Sequence, residues 1–140
     1  MEIEDTLAYL AGMWTLTRAI VDHRTGVRGS FDGAAQVRAC GRRGRYEEHG
    51  RLRLGSYDGS ARRALDLVGT NGAVVAVLFA DGRPFFDLDL SAGTCRAVHQ
   101  CSRDRYELNF GVGSPDLLLE HWRVHGPDKD YEAQTTWRRQ

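Results

Sequence analysis

Lysine is almost missing from this 140-residue chain: of 19 basic residues only Lys129 is not an arginine, and 19 acidic residues cancel their charge. A formal charge of zero and a pI near 7.0 leave no basic face for a nucleic acid backbone, so no nucleic acid partner is expected. No apolar run approaches the roughly 20 residues that a membrane-spanning helix needs, which argues against a membrane partner. The three cysteines (Cys40, Cys95 and Cys101) are odd in number and lack Cys-x-x-Cys spacing, which points to reduced thiols. His23, His49, His121 and His125 show no metal-ligand spacing, since His121 and His125 are four apart on an expected strand, not a helix. There is no glycine-rich phosphate loop, nucleophile elbow or dinucleotide fingerprint, so neither metal nor cofactor is expected. The start Met1-Glu2-Ile3-Glu4-Asp5 is acidic where a secretory leader would be basic. A cytoplasmic protein without a leader is the expectation.

Glycine, by contrast, is abundant, with 16 residues punctuating an apolar pattern of period two. Ile3, Leu7 and Leu10 lie at helical spacing and predict a short helix ending near Gly12. Alternation then predicts strands over Trp14–Asp22, Ser30–Ala39, Arg45–Leu54, Ser60–Val68, Ala73–Phe79, Arg83–Leu90, Cys95–Gln100, Asp104–Phe110, Leu118–Val124 and Tyr131–Arg138. About ten short strands at this spacing indicate an all-β protein. Short connections favour an up-and-down antiparallel meander that closes into a barrel, with residues 1–140 as one domain. At Asn71-Gly72 a strict two-residue turn would point Asp66 inward, whereas patterning wants Leu65 and Leu67 inside. Burial energy favours the leucines, which requires a bulge or longer loop near Gly69–Gly72.

The stretch from Phe79 to Phe110 carries the most information. Asp81-Gly82 predicts a two-residue hairpin turn, and Ser102-Arg103 sits where a second would fall. Pairing dictated by these turns puts Phe79, Phe86, Leu88, Cys95, Ala97, His99, Cys101, Asp104, Tyr106, Leu108 and Phe110 on one face. Leu78, Phe85 and Val98 fall on the other. The inward face is then apolar apart from His99 opposite Tyr106, with Cys101 and Asp104 beside them.

Directly opposed strand residues have Cβ atoms about 4.5–5.5 Å apart, so imidazole and phenol are within reach of one another. The pair serves either to pin the register of the core or to move a proton, His99 as acid or base and Tyr106 as its partner or oxyanion donor. Asp104 is expected to cap its turn, and Cys101 to pack as a small apolar group at the ligand. On the first and third strands the same alternation turns Arg18, Tyr46 and Glu48 inward. Buried charges must be paired, so Arg18 with Glu48 is expected, either as a structural ion pair or as an anchor for a ligand carboxylate or phenolate. Phe86 and Trp122 are expected to line the interior, while Gly33, Ala35, Gly50 and Ala97 at inward positions suggest a cavity. The Arg62-Arg63 run and Lys129 read as solvated surface.

Gly12-Met13-Trp14 after a short helix, with Trp137-Arg138-Arg139 at the end of the last strand, resembles the calycin arrangement of lipocalins and fatty-acid-binding proteins. That likeness implies a tryptophan plug stacked against a late arginine. Ala11–Arg18, Ser30-Phe31-Asp32-Gly33, Tyr46-Glu47-Glu48-His49-Gly50, Asp81-Gly82-Arg83-Pro84-Phe85-Phe86, His99-x-Cys101-x-x-Asp104-x-Tyr106 and Gly126–Tyr131 come in the order of one further family. Together they resemble the proteins catalogued as domain of unknown function 6314, a likeness covering nearly the whole chain. Ala64-Leu65-Asp66-Leu67 departs from the aromatics that the resemblance implies there. The combined expectation is a calycin-like barrel, monomer or homodimer, that holds a small hydrophobic or aromatic, polyketide-like ligand. Such a barrel either binds only or, without a cofactor, cyclises, isomerises or decarboxylates its ligand through His99, Tyr106 and Glu48. Two other classes stay open: a haem barrel of nitrobindin type with His99 as iron ligand, and a filled scaffold barrel with an outer patch at Leu78, Phe85 and Val98.

Overall fold

Alternation along the chain yields one antiparallel sheet, preceded by a single turn of helix. The computed structural model describes residues 1–140: α1 (Thr6–Leu10), β1 (Gly12–Asp22), β2 (Arg28–Cys40), β3 (Arg43–Leu54), β4 (Tyr57–Asn71), β5 (Val74–Phe79), β6 (Pro84–Asp89), β7 (Thr94–Cys101), β8 (Asp104–Ser114), β9 (Leu117–His125) and β10 (Asp130–Arg139). The strands run in the order β6-β5-β4-β3-β2-β1-β10-β9-β8-β7. The expected up-and-down barrel therefore forms, with the first and last strands joined over Trp14–Asp22 and Tyr131–Arg139. One seam, between β6 and β7, has no backbone ladder. Side chains span it instead: Phe86 stacks on Phe110 at 5.7 Å, Phe85 meets His99 at 5.1 Å, and the Asp89 amide points at Cys95 Sγ, 3.5 Å away. No helix is long and apolar enough to cross a membrane.

The helical end of the barrel is plugged as the calycin likeness implies. Trp14 is fully buried and donates from Nε1 to Leu10 O at 2.8 Å, while the Arg139 guanidinium lies 4.1 Å above its ring. Arg139 also donates to the carbonyls of Tyr9 (2.8 Å) and Ala11 (3.0 Å), groups a terminating helix leaves unpaired. A five-residue helix has no stability of its own. Thr6, fully buried, ties it down by donating to Ala73 O and accepting from the Leu90 amide.

Of the two irregular turns, one follows the expectation and the other departs from it. Between β4 and β5 the register shifts between Gly69 and Asn71, as the leucines require; Leu65 and Leu67 are buried and Asp66 pairs outside with Arg45. Between β5 and β6 the two-residue turn does not form. Phe79 and Arg83 flank a three-residue loop, the Phe79 amide donating to Arg83 O at 2.9 Å with Gly82 at φ +88°. The positive φ is the left-handed residue that closes such a loop. A second irregularity then leaves Phe85 unpaired between Pro84, opposite Leu78, and Phe86, opposite Val77. This bulge returns Phe86 to its expected partner while turning Phe85 into the barrel, where it is 5% exposed and stacks on Phe79 at 4.5 Å. The outer apolar patch expected around Leu78, Phe85 and Val98 thus loses its aromatic member.

Gly33 and Gly50 face each other across β2 and β3. A Cβ on Gly50 would sit 2.3 Å from Asp32 O and 2.6 Å from Gly33 Cα, so these glycines serve close backbone approach, not the creation of space. Gly50→Ala is expected to lower stability by about 1–3 kcal/mol, the usual cost of overpacking. Urea unfolding measures it, and an unchanged midpoint would remove the close-approach argument.

Candidate functional site

Opposite the helical plug, the inward residues of β1 to β4, β9 and β10 surround a cavity of about 260 Å³. Its wall combines apolar Ile20, Phe31, Leu52, Ala61 and Ala133 with Arg18, Glu48, Arg63, Glu120, Trp122, Tyr131 and Thr135, and Arg62 stands at its edge. A second void of about 40 Å³ lies nearer the plug, among Tyr46, Leu65, Leu67, Phe86, Phe110 and Trp137. Arg63, Glu120 and Trp122 line both spaces and form the partition between them.

The partition is organised by Glu48, which is 4% exposed. Arg18 clamps it bidentately, Nη1 to Oε2 at 2.9 Å and Nη2 to Oε1 at 3.1 Å. Tyr46 Oη donates to Oε1 at 2.6 Å, and Arg63 Nη2 to the same atom at 2.8 Å. Arg18 spends its remaining Nε–H on Thr135 Oγ1 at 2.7 Å and lies 4.9 Å over the Phe31 ring. Burial works against the Glu48 charge, but hydrogen bonding from Arg18, the nearby Arg63 cation and the Tyr46 hydroxyl outweigh it and bring its pKa from 4.5 to about 2. Burial and the adjoining carboxylate push the Tyr46 phenol well above 10. Burial likewise raises Tyr131.

A carboxylate with four donors and a pKa near 2 is a poor general base at neutral pH. Its observed role is electrostatic: it holds two guanidinium groups inside a barrel.

Arg63 and Glu120 were not among the expected site residues, although alternation pointed to both. Arg63 lies two positions before the inward Leu65, and Glu120 lies between the inward Leu118 and Trp122. Arg63 is only partly solvated, its side chain 31% exposed, and it reaches across the lumen, its guanidinium carbon 4.6 Å from the Trp122 ring centre. Its Nε–H and the indole Nε1–H of Trp122 are buried and have no acceptor. Glu120, 5% exposed, accepts from Trp137 Nε1 at Oε2, 2.7 Å away.

Of the expected site residues, Arg18, Glu48 and Trp122 meet at the larger cavity, and Tyr46 and Phe86 at the smaller void. His99 and Tyr106 are directly opposed on β7 and β8 with ring centres 5.8 Å apart, but they stand in the wall of neither space. His99 is packed edge-on against Phe79 (5.6 Å) and Phe85 (5.1 Å), so the inward-turned Phe85 fills the region where a ligand was expected. Cys101 is exposed at the end of β7, past the region that alternation would enclose, so it is not a lining residue. Asp104 makes no capping bond to its turn; it pairs with Lys129 Nζ at 3.1 Å, which in turn lies 3.5 Å from Tyr106 Oη.

The order of motifs set out above has a match. The chain belongs to a family of unknown function (DUF6314), matched over residues 10–139. No curated protein matches it. Among solved structures, the S-type phycobiliprotein lyase CPES from Guillardia theta superposes with a TM-score of 0.69 at 11% identity, covering 100% of this chain and 93% of that one. A de novo designed fluorescence-activating β-barrel gives 0.52 at 15% identity over 99% of this chain and 100% of the design. At such identities the likeness establishes a shared barrel fold.

The depressed Glu48 pKa has a signed consequence. Stability from this group is complete above the unfolded value of 4.5 and is lost as pH falls toward 2, by about 3 kcal/mol in all. Glu48→Gln is expected to flatten this part of the profile and to lower stability at pH 7, because both arginines lose their counter-charge. Urea unfolding at pH 7, 4.5 and 2.5 measures both effects; a variant with the parent's pH slope would contradict the assignment.

Proposed function

We propose that this protein is a small-molecule-binding barrel whose ligand is planar, largely apolar and carries a hydrogen-bond acceptor. The observation that carries this reading is the pair of buried, unpartnered donors, Arg63 Nε–H and Trp122 Nε1–H, on two side chains of one cavity. Leaving a buried donor unpaired costs about 1–3 kcal/mol, and a ligand oxygen that accepts from them recovers that cost. The rings of Phe31 and Trp122 and the aliphatic side chains around them favour a largely apolar body. At about 260 Å³ the space lies just below the usual range for ligand cavities, which begins near 300 Å³, and it suits a molecule of one or two rings. The barrel shape shared with a phycobiliprotein lyase and a designed fluorescence-activating barrel is compatible with this use and adds nothing on ligand identity.

Binding is favoured over acid–base catalysis because Glu48 is saturated by donors while His99 and Tyr106 stand outside the cavity wall. The same placement disfavours haem at His99, whose ring is enclosed by Phe79 and Phe85.

Native mass spectrometry of protein purified from its own host tests the reading. A co-purifying small molecule is expected with the parent chain, and at least ten-fold less of it with Arg63→Lys, which keeps a cation beside Glu48 but removes the Nε donor. Equal retention by parent and variant would refute the role of that donor.

A further inference from the structure

Inside the rim, where the exposed Arg62 stands, the wall of the larger cavity holds two guanidinium groups, Arg18 and Arg63, and two carboxylates, Glu48 and Glu120, whose formal charges cancel. Glu48 is fully used by its four donors. Arg18 commits three of its five N–H groups, to Glu48 and Thr135. Among the buried groups of this wall, two donors, on Arg63 and Trp122, lack a partner, and one carboxylate oxygen, Glu120 Oε1, accepts no hydrogen bond. An anionic ligand would satisfy the donors but would bring an uncompensated charge into a wall already balanced, beside a second carboxylate. Buried charge without a partner is the most costly arrangement a protein interior holds.

We infer that the ligand is a neutral molecule with a hydrogen-bond acceptor and a hydrogen-bond donor on one edge, of which a planar lactam is the simplest example, and that Glu120 selects it. The inference rests on the binding function proposed above and narrows the ligand class, replacing the carboxylate or phenolate that Arg18 suggested from sequence. The lactam carbonyl accepts from Arg63 Nε–H and Trp122 Nε1–H, and its N–H donates to Glu120 Oε1. Glu120 is then a specificity-determining residue; Glu48 keeps both cations in place without contacting the ligand's polar edge.

Three bicyclic compounds of similar size separate the possibilities when titrated into the ¹⁵N-labelled full chain: 2-quinolone, its N-methyl derivative and quinoline-2-carboxylate. The indole N–H resonance of Trp122, assigned by its disappearance in Trp122→Phe, reports occupancy. The parent is expected to bind 2-quinolone at least ten-fold more tightly than either of the others. In Glu120→Gln, which removes one negative charge and leaves the wall cationic, the carboxylate is expected to overtake the lactam. A parent that prefers quinoline-2-carboxylate overturns this inference and leaves the proposed binding function standing. A parent that binds 2-quinolone and its N-methyl derivative equally removes the donor contact to Glu120. No shift of the Trp122 resonance with any of the three argues against the cavity as a binding site and takes both conclusions with it. The parent ranking stands whether or not Glu120→Gln folds, which its thermal melt reports.

Discussion

A single carboxylate, Glu48, makes the interior of this barrel possible. Two arginines reach Glu48 on β3 from either flank, Arg18 on β1 and Arg63 on β4, and neither is tolerable in a largely apolar lumen alone. Glu48 sits between them and accepts four hydrogen bonds, including one from Tyr46, so the desolvation cost of each charge is met by short, well-directed contacts. The partition that results divides the lumen into a small void next to the tryptophan plug and a larger cavity toward the other end.

The partition also explains where polar capacity is left over. Hydrogen bonding is complete around Glu48, and the unsatisfied groups occur on the far ends of the same constellation, at Arg63 Nε and Trp122 Nε1. Satisfying the core of a buried network while leaving its rim open to a ligand is a division of labour that binding sites require. On the binding function proposed above, the rigid part orients the donors and the ligand completes the count. The aromatic cluster of Phe79, Phe85, His99 and Tyr106 has a different position in the architecture. It fills the side of the barrel where β6 and β7 share no ladder, so that rings there do what backbone hydrogen bonds do elsewhere.

Much of this was readable from residues alone where the argument was alternation. Trp14, Arg18, Tyr46, Glu48 and Trp122 were placed inward by period two, and the Arg18–Glu48 pair followed from the cost of burying either partner alone. Alternation also pointed to Arg63 and Glu120, but the Arg62-Arg63 run read as solvated surface and Glu120 was not singled out. The failures came where counting depends on a turn. At Asp81-Gly82 a three-residue loop followed by a bulge kept Phe86 in register and turned Phe85 inward, which moved an aromatic into the space beside His99. Gly33 and Gly50 misled for another reason: an inward glycine marks either empty space or a neighbouring backbone, and only the position of Asp32 O decides between them.

By itself the sequence determined the all-β meander, the inward placement of Arg18 and Glu48 and the need for them to be paired, because each follows from local periodicity and from the energy of burial; the tryptophan plug followed from the calycin resemblance. Tertiary structure alone decided that Arg63 joins the Arg18–Glu48 pair, which donors remain unpaired, and that His99 and Tyr106 lie apart from the cavity. Those outcomes depend on contacts between strands distant in the chain, such as Arg63 on Trp122, and on bulges of a single residue. One residue more or fewer in a strand inverts the side chains beyond it, and no pattern of residue types states that number in advance.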